Sequence, residues 1–207
     1  MRVLWQPGVL ALLLSTAVAA VRRLLTLQAR VRALEQQAIR DPLTGAFNRR
    51  HMHEVLVTAV ERHRRNGDPA SLLLIDVDEF KSVNDAAGHA GGDRVLQAIA
   101  ALVQKRLRRI DALFRFGGDE FVVLLEGAWL ADARGIAEQL RGAVDAARLD
   151  GLRPVSISVG VAGLQNGDSA DDWLAAADAA LYDAKLAGRN RVEARVSRAA
   201  PIRKRVG

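Results

Sequence analysis

The sequence predicts an α+β domain with an antiparallel core and helices packed on it, and three observations carry that prediction. The run SLLLIDVD (71–78) is apolar and then alternates into acids, the pattern of a buried central strand. The stretch ALFRF-GG-DEFVVLL (112–125) folds back over a Gly-Gly pair as a hairpin. Around these lie segments with apolar residues at spacings of three and four, the period of helices with one buried face. Strands mixed with helices and one true hairpin belong to the α+β class, which does not by itself assign a function.

Composition bounds the rest. The chain of 207 residues is 50% hydrophobic and 26% charged, which suits one globular domain with a short extension. There is no cysteine, so disulfides and thiolate metal sites are excluded, and any metal must take oxygen or imidazole ligands. Such donors favour magnesium, calcium or manganese over structural zinc. Residues 1–40 carry six arginines and one glutamate (+5), and residues 196–207 three arginines and one lysine (+4), so −3 of the net +6 remains for 41–195. The core therefore offers no basic face for nucleic acid.

Taken in order, Val3 to Val21 is a nineteen-residue stretch without formal charge, long enough for a bilayer core, with Pro7 in an early turn that tolerates it. Arg22, Arg23, Arg30 and Arg32 follow, against Arg2 alone before it, so the positive-inside bias puts the carboxyl-terminal side in the cytoplasm. Residues 1–21 are expected to be a transmembrane signal anchor, single-pass in the inner membrane. Ala17-Val18-Ala19 also fits a signal-peptide cleavage site. Leu24, Leu27, Val31, Leu34 and Ala38 alternate by three and four, so 22–40 reads as a coiled-coil-like linker helix. Two heptads are few, and a solvated juxtamembrane helix fits the same residues.

In the main domain, Pro42 and Gly45 break the linker, and a new helix runs to about Arg65. After the strand at 71–78 a helix is expected from about Gly92 to Arg108, with Val95, Leu96, Ile99, Leu102, Val103 and Leu107 as its core face. The hairpin follows, its glycines expected at the positive φ of a tight turn. A helix at about 130–147, a strand at 154–164 and a helix at about 169–187, ending at Gly188, complete the domain. Residues 196–207 form a basic tail expected to be disordered.

Asp76 and Asp78 end the first strand, and Asp119 and Glu120 follow the hairpin's glycines. If the strand and the hairpin are neighbours in one sheet, these acids converge. Clustered carboxylates repel one another, and a divalent cation held beside a nucleotide's phosphates resolves that cost. Acids near turns that merely solvate them are the plainer reading of either pair alone.

Four stretches, DPLTGAFNRR, DVDEFKSVNDAAGHAGGD, RFGGDEF and ALYDAKLAGRNRV, occur in this order between Asp41 and about Val192. In them the chain resembles the GGDEF domain, the catalytic module of bacterial diguanylate cyclases. The resemblance implies a mixed, largely antiparallel sheet flanked by helices, of the nucleotide-cyclase or palm type, over 41–195. It implies that Asp76, the Val77 carbonyl and Asp119 hold magnesium, two ions per half-site, with manganese as the other fitting ion. Glu120 either joins these ligands or helps to deprotonate the attacking 3′-hydroxyl. Asn84 and Asp93 correspond to the residues that recognise guanine, and their chemistry agrees: an amide both donates and accepts, and a carboxylate accepts from N–H groups. Lys81, Lys185 and Arg189 correspond to triphosphate binders, the last two at a spacing of four that would put both on one helix face. Gly117 and Gly118 let backbone approach the triphosphate. Arg108 and Asp111 match an RxxD pattern whose aspartate lies six positions before Gly117, where product-inhibited members carry an allosteric site for cyclic di-GMP.

The reaction so implied joins two GTP into cyclic di-GMP and two pyrophosphates, and needs a homodimer because each subunit presents one GTP. It favours retention of the anchor, since GTP is cytoplasmic. The rival reading is a non-catalytic receptor or scaffold that binds cyclic di-GMP or GTP through a decayed site. Retention of Asp76, Asp119 and Glu120 argues against it.

Overall fold

The computed structural model describes residues 7–37, 39–147 and 154–196. It comprises two compact units, Met1–Ile39 and Arg40–Gly207. The first is the helix α1, Pro7–Gln37. Among the described residues no helix is long and apolar enough to cross a membrane. The expected span starts at Val3, and residues 1–6 lie outside the described residues. From Pro7 the uncharged run ends at Val21, about 22 Å of helix against a hydrocarbon core of about 30 Å. The transmembrane expectation for 1–21 therefore finds no support in the described helix. In the linker stripe Leu24 and Leu27 are exposed, while Ala38 lies outside the described residues, as does the basic tail beyond Val196.

The second unit is a six-stranded sheet between two helical layers. Its elements are β1 (Phe47–Asn48), α2 (Arg49–Asn66), β2 (Ala70–Val77), α3 (Phe80–Gln104), β3 (Ala112–Arg115), β4 (Glu120–Glu126), α4 (Leu130–Ala146), β5 (Ile157–Gly163), α5 (Ala170–Leu186) and β6 (Val192–Val196). The strand order is β1-β3-β4-β2-β5-β6. The inner pairings β3/β4, β4/β2 and β2/β5 are antiparallel, and the outer β1/β3 and β5/β6 are parallel. The sheet is thus mixed and largely antiparallel, and β2-α3-β3-β4-α4-β5 forms the split βαβ unit of α+β folds.

Alternation along β2 sorts its side chains between the layers. Leu73, Ile75 and Val77 pack with Val95 and Ile99 of α3 and with Ala137 and Leu140 of α4. Leu72 and Leu74 pack with Met52 and Leu56 of α2 and with Trp173 and Ala177 of α5. Such a two-sided strand reads as an unbroken apolar run. Helix α5 lies tight on β5 because Gly160 has no side chain; a Cβ there would meet the Ala177 carbonyl oxygen at 2.1 Å and the Leu181 nitrogen at 2.2 Å. The buried Trp173 fastens the same contact, its Nε1–H donating to the Ala162 carbonyl at 2.8 Å.

Several boundaries differ from expectation. Helix α3 starts at Phe80 rather than near Gly92 and carries one non-helical residue, Gly88, at φ 70° and ψ 171°. It ends at Gln104, short of Arg108. Strands β1 and β6 had no forecast. Gly117 and Gly118 are not among the positive-φ glycines; the hairpin keeps its pairing to the last residues, Phe116 N–H donating to the Glu120 carbonyl at 2.9 Å, and needs no left-handed step.

Candidate active site

The sheet register brings the acids together. Asp76 stands opposite Glu120 across the β2/β4 pairing. One step further the Val77 N–H donates to the Asp119 carbonyl at 3.2 Å. Asp76 shares the α5 side of the sheet with Leu72 and Leu74, and Lys185 of α5 donates from Nζ to Asp76 Oδ2 at 2.7 Å. Burial pushes the Asp76 carboxyl above its usual range; Lys185 opposes this, and the nearby Asp119 and Asp78 charges add to it. Burial raises Glu120 as well, with the Asp76 charge next in weight. Two strained acids beside one ammonium form a place that attracts positive charge, and their oxygen-only donors suit a hard cation. Among the described residues no three acidic or imidazole groups already converge on one ion position.

Asp78, the other acid of the strand end, has a structural task. It is 6% exposed. It accepts from Ser156 Oγ and Ser158 Oγ, both at 2.6 Å, and from the Asn190 amide at 3.1 Å. Those bonds anchor the turn after α5, where Arg189 (φ 62°) and Asn190 (φ 46°) are left-handed. Arg189 therefore lies beyond the helix, and it does not share a helical face with Lys185 as the spacing of four suggested.

A cleft beside the hairpin tip is lined by Phe80, Lys81, Asn84, His89, Asp93, Leu96, Arg115, Gly118 and Asp119. It gathers most of the expected nucleotide contacts. The bend at Gly88 separates Asn84 from Asp93, so both flank the same opening. Gly92 gives Asn84 its place: a Cβ at 92 would meet Asn84 Oδ1 at 2.0 Å. At the tip, a Cβ on Gly117 would meet Glu120 Oε2 at 2.7 Å, whereas nothing lies within 4 Å of one on Gly118. The first glycine makes room for Glu120, and the second leaves the cleft side open.

Asp41 and Arg115 had no forecast. Arg115 Nη1 donates to Asp41 Oδ1 at 3.1 Å and Oδ2 at 3.2 Å, and its Nη2 donates to the Gly118 carbonyl at 2.8 Å. Asp41 also accepts from the Thr44 amide at 2.9 Å and hydroxyl at 2.6 Å. Burial acts upward on the Asp41 carboxyl, but Thr44 and Arg115 together hold it below its usual range. The start of the domain is so tied to the signature turn. The only sequence signal was adjacency: Arg115 stands next to the motif, and Asp41 opens DPLTG.

Arg108 and Asp111 line a separate cavity with Arg106, Ile136, Gln139 and Leu140. The pair closes a turn in the structure, the Arg108 amide donating to Asp111 Oδ2 at 2.9 Å and the Asp111 amide to the Arg108 carbonyl at 3.0 Å. The Arg108 residue is exposed and lines this cavity.

The family profile described as "Diguanylate cyclase, GGDEF domain" matches residues 38–191. The chain belongs to the GGDEF family. It is 43% identical over 161 residues to the diguanylate cyclase DgcP of Pseudomonas aeruginosa, covering 76% of this chain and 24% of that protein. Among solved structures it is similar to the diguanylate cyclase SiaD of P. aeruginosa, crystallised with its activator SiaC. The TM-score is 0.73 at 38% identity, over 91% of this chain and 74% of SiaD. It is also similar to the coiled coil and GGDEF domain of DgcB from Caulobacter crescentus in complex with c-di-GMP. There the TM-score is 0.74 at 28% identity, over 90% of this chain and 99% of that one. The chain thus spans about a quarter of the length of DgcP.

Proposed function

We propose that the chain is a diguanylate cyclase that joins two GTP into cyclic di-GMP and releases two pyrophosphates. The observation that carries this reading is the junction of the acid cluster at Asp76, Asp119 and Glu120 with the cleft that holds Asn84 and Asp93. In that cleft Asn84 and Asp93 meet the guanine edge, an amide and a carboxylate matching its carbonyl and N–H groups. Lys81, Lys185 and Arg189 meet the triphosphate, and the open backbone at Gly118 lets it lie close. Magnesium or manganese, held by Asp76, the Val77 carbonyl and Asp119, would neutralise charge on the reacting phosphate. Glu120 stands beside the attacking 3′-hydroxyl and takes its proton. The 3′-oxygen bonds to the α-phosphorus of the other nucleotide, the bond from that phosphorus to the bridging oxygen breaks, and pyrophosphate leaves with the electron pair. Two such transfers, one in each direction, close the ring, so two copies must face each other and positioning supplies much of the rate.

The finer features belong to the same proposal. The apolar stripe of α1 pairs two copies, a reading supported by the likeness to the coiled coil and GGDEF domain of DgcB. The run Val3–Val21 and the arginines after it attach the chain to the membrane, with the catalytic domain in the cytoplasm where GTP is. The cavity at Arg108 and Asp111 takes the product as an inhibitor.

The full chain is incubated with GTP and magnesium, and the products are separated by chromatography. Cyclic di-GMP and pyrophosphate are expected from the wild type and neither from D119A, whose circular dichroism is unchanged. Absence of both from wild-type chain that is dimeric in solution overturns the reading. R108A is expected to lift product inhibition with the initial rate intact, and an unchanged inhibition curve refutes the allosteric part. Membrane attachment is refuted if the chain stays in the soluble fraction of lysed cells.

A further inference from the structure

Strand β6 ends the sheet, and among the described residues no strand pairs with its outer side. Its sequence, Val192-Glu193-Ala194-Arg195-Val196, is symmetric about Ala194 in its apolar residues and complementary in its charges. The backbone decides which groups face outward. The Val159 N–H donates to the Arg191 carbonyl at 2.9 Å, and hydrogen-bonding direction alternates along a strand. Glu193 and Arg195 therefore turn their amide and carbonyl groups to β5, while Val192, Ala194 and Val196 turn theirs to the open edge. The side chains alternate between the two faces. Val192 and Ala194 pack with the core layer of α3 and α4. Val196 continues that row at 55% exposure. On the other face Arg195 reaches α5, its Nε donating to Asp183 Oδ2 at 2.7 Å.

We propose that this edge pairs with β6 of a second copy of the chain, antiparallel about a two-fold axis at Ala194. In that register Val192 stands opposite the second copy's Val196, and Ala194 opposite its own equivalent. All of these carry outward-facing backbone groups, so about six N–H···O=C bonds close the ladder. Glu193 stands opposite the second copy's Arg195 on the α5 face, and the symmetry repeats the pair. Arg195 meets Asp183 through Nε and Nη2, which leaves Nη1 of its fork to reach a carboxylate across the edge. Charges on an edge strand ordinarily keep other strands away. Here they also select a register: a slip of two residues sets Glu193 against Glu193 in one direction and Arg195 against Arg195 in the other. The pairing covers the exposed Val196 and joins two sheets into one. It stands apart from the cyclase reading, because none of its residues is assigned to nucleotide or metal.

The chain has no cysteine, so Ala194→Cys in the full chain puts a single thiol on the proposed axis. Opposed Cα atoms of a hydrogen-bonded pair lie about 5.5 Å apart, within reach of a disulfide. Mild oxidation is expected to give a covalent dimer on non-reducing gels. Adding E193R sets like charges opposite one another twice and should cut the yield about tenfold, and R195E should do the same. The exchange E193R/R195E restores opposite charges and should restore the yield. It also breaks the bond to Asp183, as R195E alone does, so recovery reports on the contact between copies. E193R mixed with R195E should cross-link as a heterodimer for the same reason. A194C that does not cross-link, a yield indifferent to E193R, or an exchange that fails to recover it overturns the proposal. Sedimentation of the cysteine-free chain is the second measurement: wild type should show a concentration-dependent association step that E193R removes, whereas pairing through α1 would survive that change. Sedimentation profiles that E193R leaves unaltered overturn the proposal as well.

Discussion

Replacing Arg115 by alanine removes the tie between the start of the GGDEF domain and its signature turn. The wild-type side chain makes two contacts to the Asp41 carboxylate, at 3.1 and 3.2 Å, and one to the Gly118 carbonyl at 2.8 Å. Both partners of the ion pair are largely shielded, with 19% and 16% of their side chains exposed, so solvent screens the pair less than a surface bridge. Asp41 keeps its Thr44 bonds in the variant, which limits the cost of leaving its charge behind. A loss of about 2–3 kcal/mol follows for hydrogen bonds to a charged group in this setting. For a domain of this size that is a fall of about 5–10 °C in the melting temperature. Thermal unfolding by circular dichroism measures it, and a cycle with D41N isolates the pairwise part. The pH dependence gives an independent arm. The folded-state pKa of Asp41 lies below its ordinary value of 3.8, so its contribution is complete above that value and is lost as pH falls through the folded pKa. The stability gap between wild type and D41N should accordingly be full near neutral pH and close in strong acid. Cyclic di-GMP formation should fall about tenfold or more in R115A at temperatures where it is folded, because the Gly118 backbone loses its support. An R115A protein that melts with the wild type and turns over normally refutes the reasoning, as does a D41N deficit that persists undiminished in strong acid.

Three further outcomes follow from the geometry. In Gly92→Ala the new Cβ would meet Asn84 Oδ1 at 2.0 Å; the amide must turn away, and calorimetry should find binding of a non-hydrolysable GTP analogue weakened about tenfold with the fold retained. In Gly160→Ala the clash is with the α5 backbone itself, at 2.1 and 2.2 Å, so a loss of about 3 kcal/mol or more is expected in denaturant unfolding, or failure to fold. For Glu120→Gln the sign is opposite: the folded carboxyl titrates above its ordinary value of 4.5, so its ionised form opposes folding near neutral pH and not below that value. The variant should melt above the wild type near neutral pH, with the gap closing in acid, while making no cyclic di-GMP.

What could be read in the sequence depended on how local the signal was. The strand carrying Asp76 and the hairpin carrying Asp119 announce themselves by apolar runs of four and five residues, Leu72–Ile75 and Phe121–Leu125, and the structure pairs them as neighbours. The edge strand β1 is two residues long and has no period to detect. Strand β6 interleaves Glu193 and Arg195 with its apolar residues, which hides it beside a basic tail. The amino half of α3 was obscured by Gly88, Gly91 and Gly92, which lower helix propensity; yet only Gly88 leaves helical geometry, and Gly92 is there to clear space for Asn84. A Gly-Gly pair in sequence suggests positive φ, whereas the demand at Gly117 is room for a carboxylate. The Asp41–Arg115 pair spans 74 positions, and no window of periodicity reaches that far. Asp78 could not be told from Asp76 by pattern, because its role depends on serines about eighty residues away.

The site divides its labour between two kinds of support. The acids are carried by strand ends, where register fixes Asp76 against Glu120 and the backbone clips Asp119 to Val77. The groups proposed for base and phosphate come from helices laid on the sheet: Asn84 and Asp93 from α3 on one side, Lys185 from α5 on the other. Like charges on adjacent strands cannot move apart without breaking the ladder, so their repulsion is met by a counter-charge from outside the sheet. In the structure that counter-charge is Lys185, whose side chain is 34% exposed and long enough to leave. An arriving triphosphate with its cation competes for both members of that pair, attracting the ammonium and replacing it at the carboxylate. The ion pair therefore stabilises the site without substrate, and under the proposed function it is the contact a triphosphate exchanges, which reconciles the bond to Asp76 with the phosphate role proposed for Lys185.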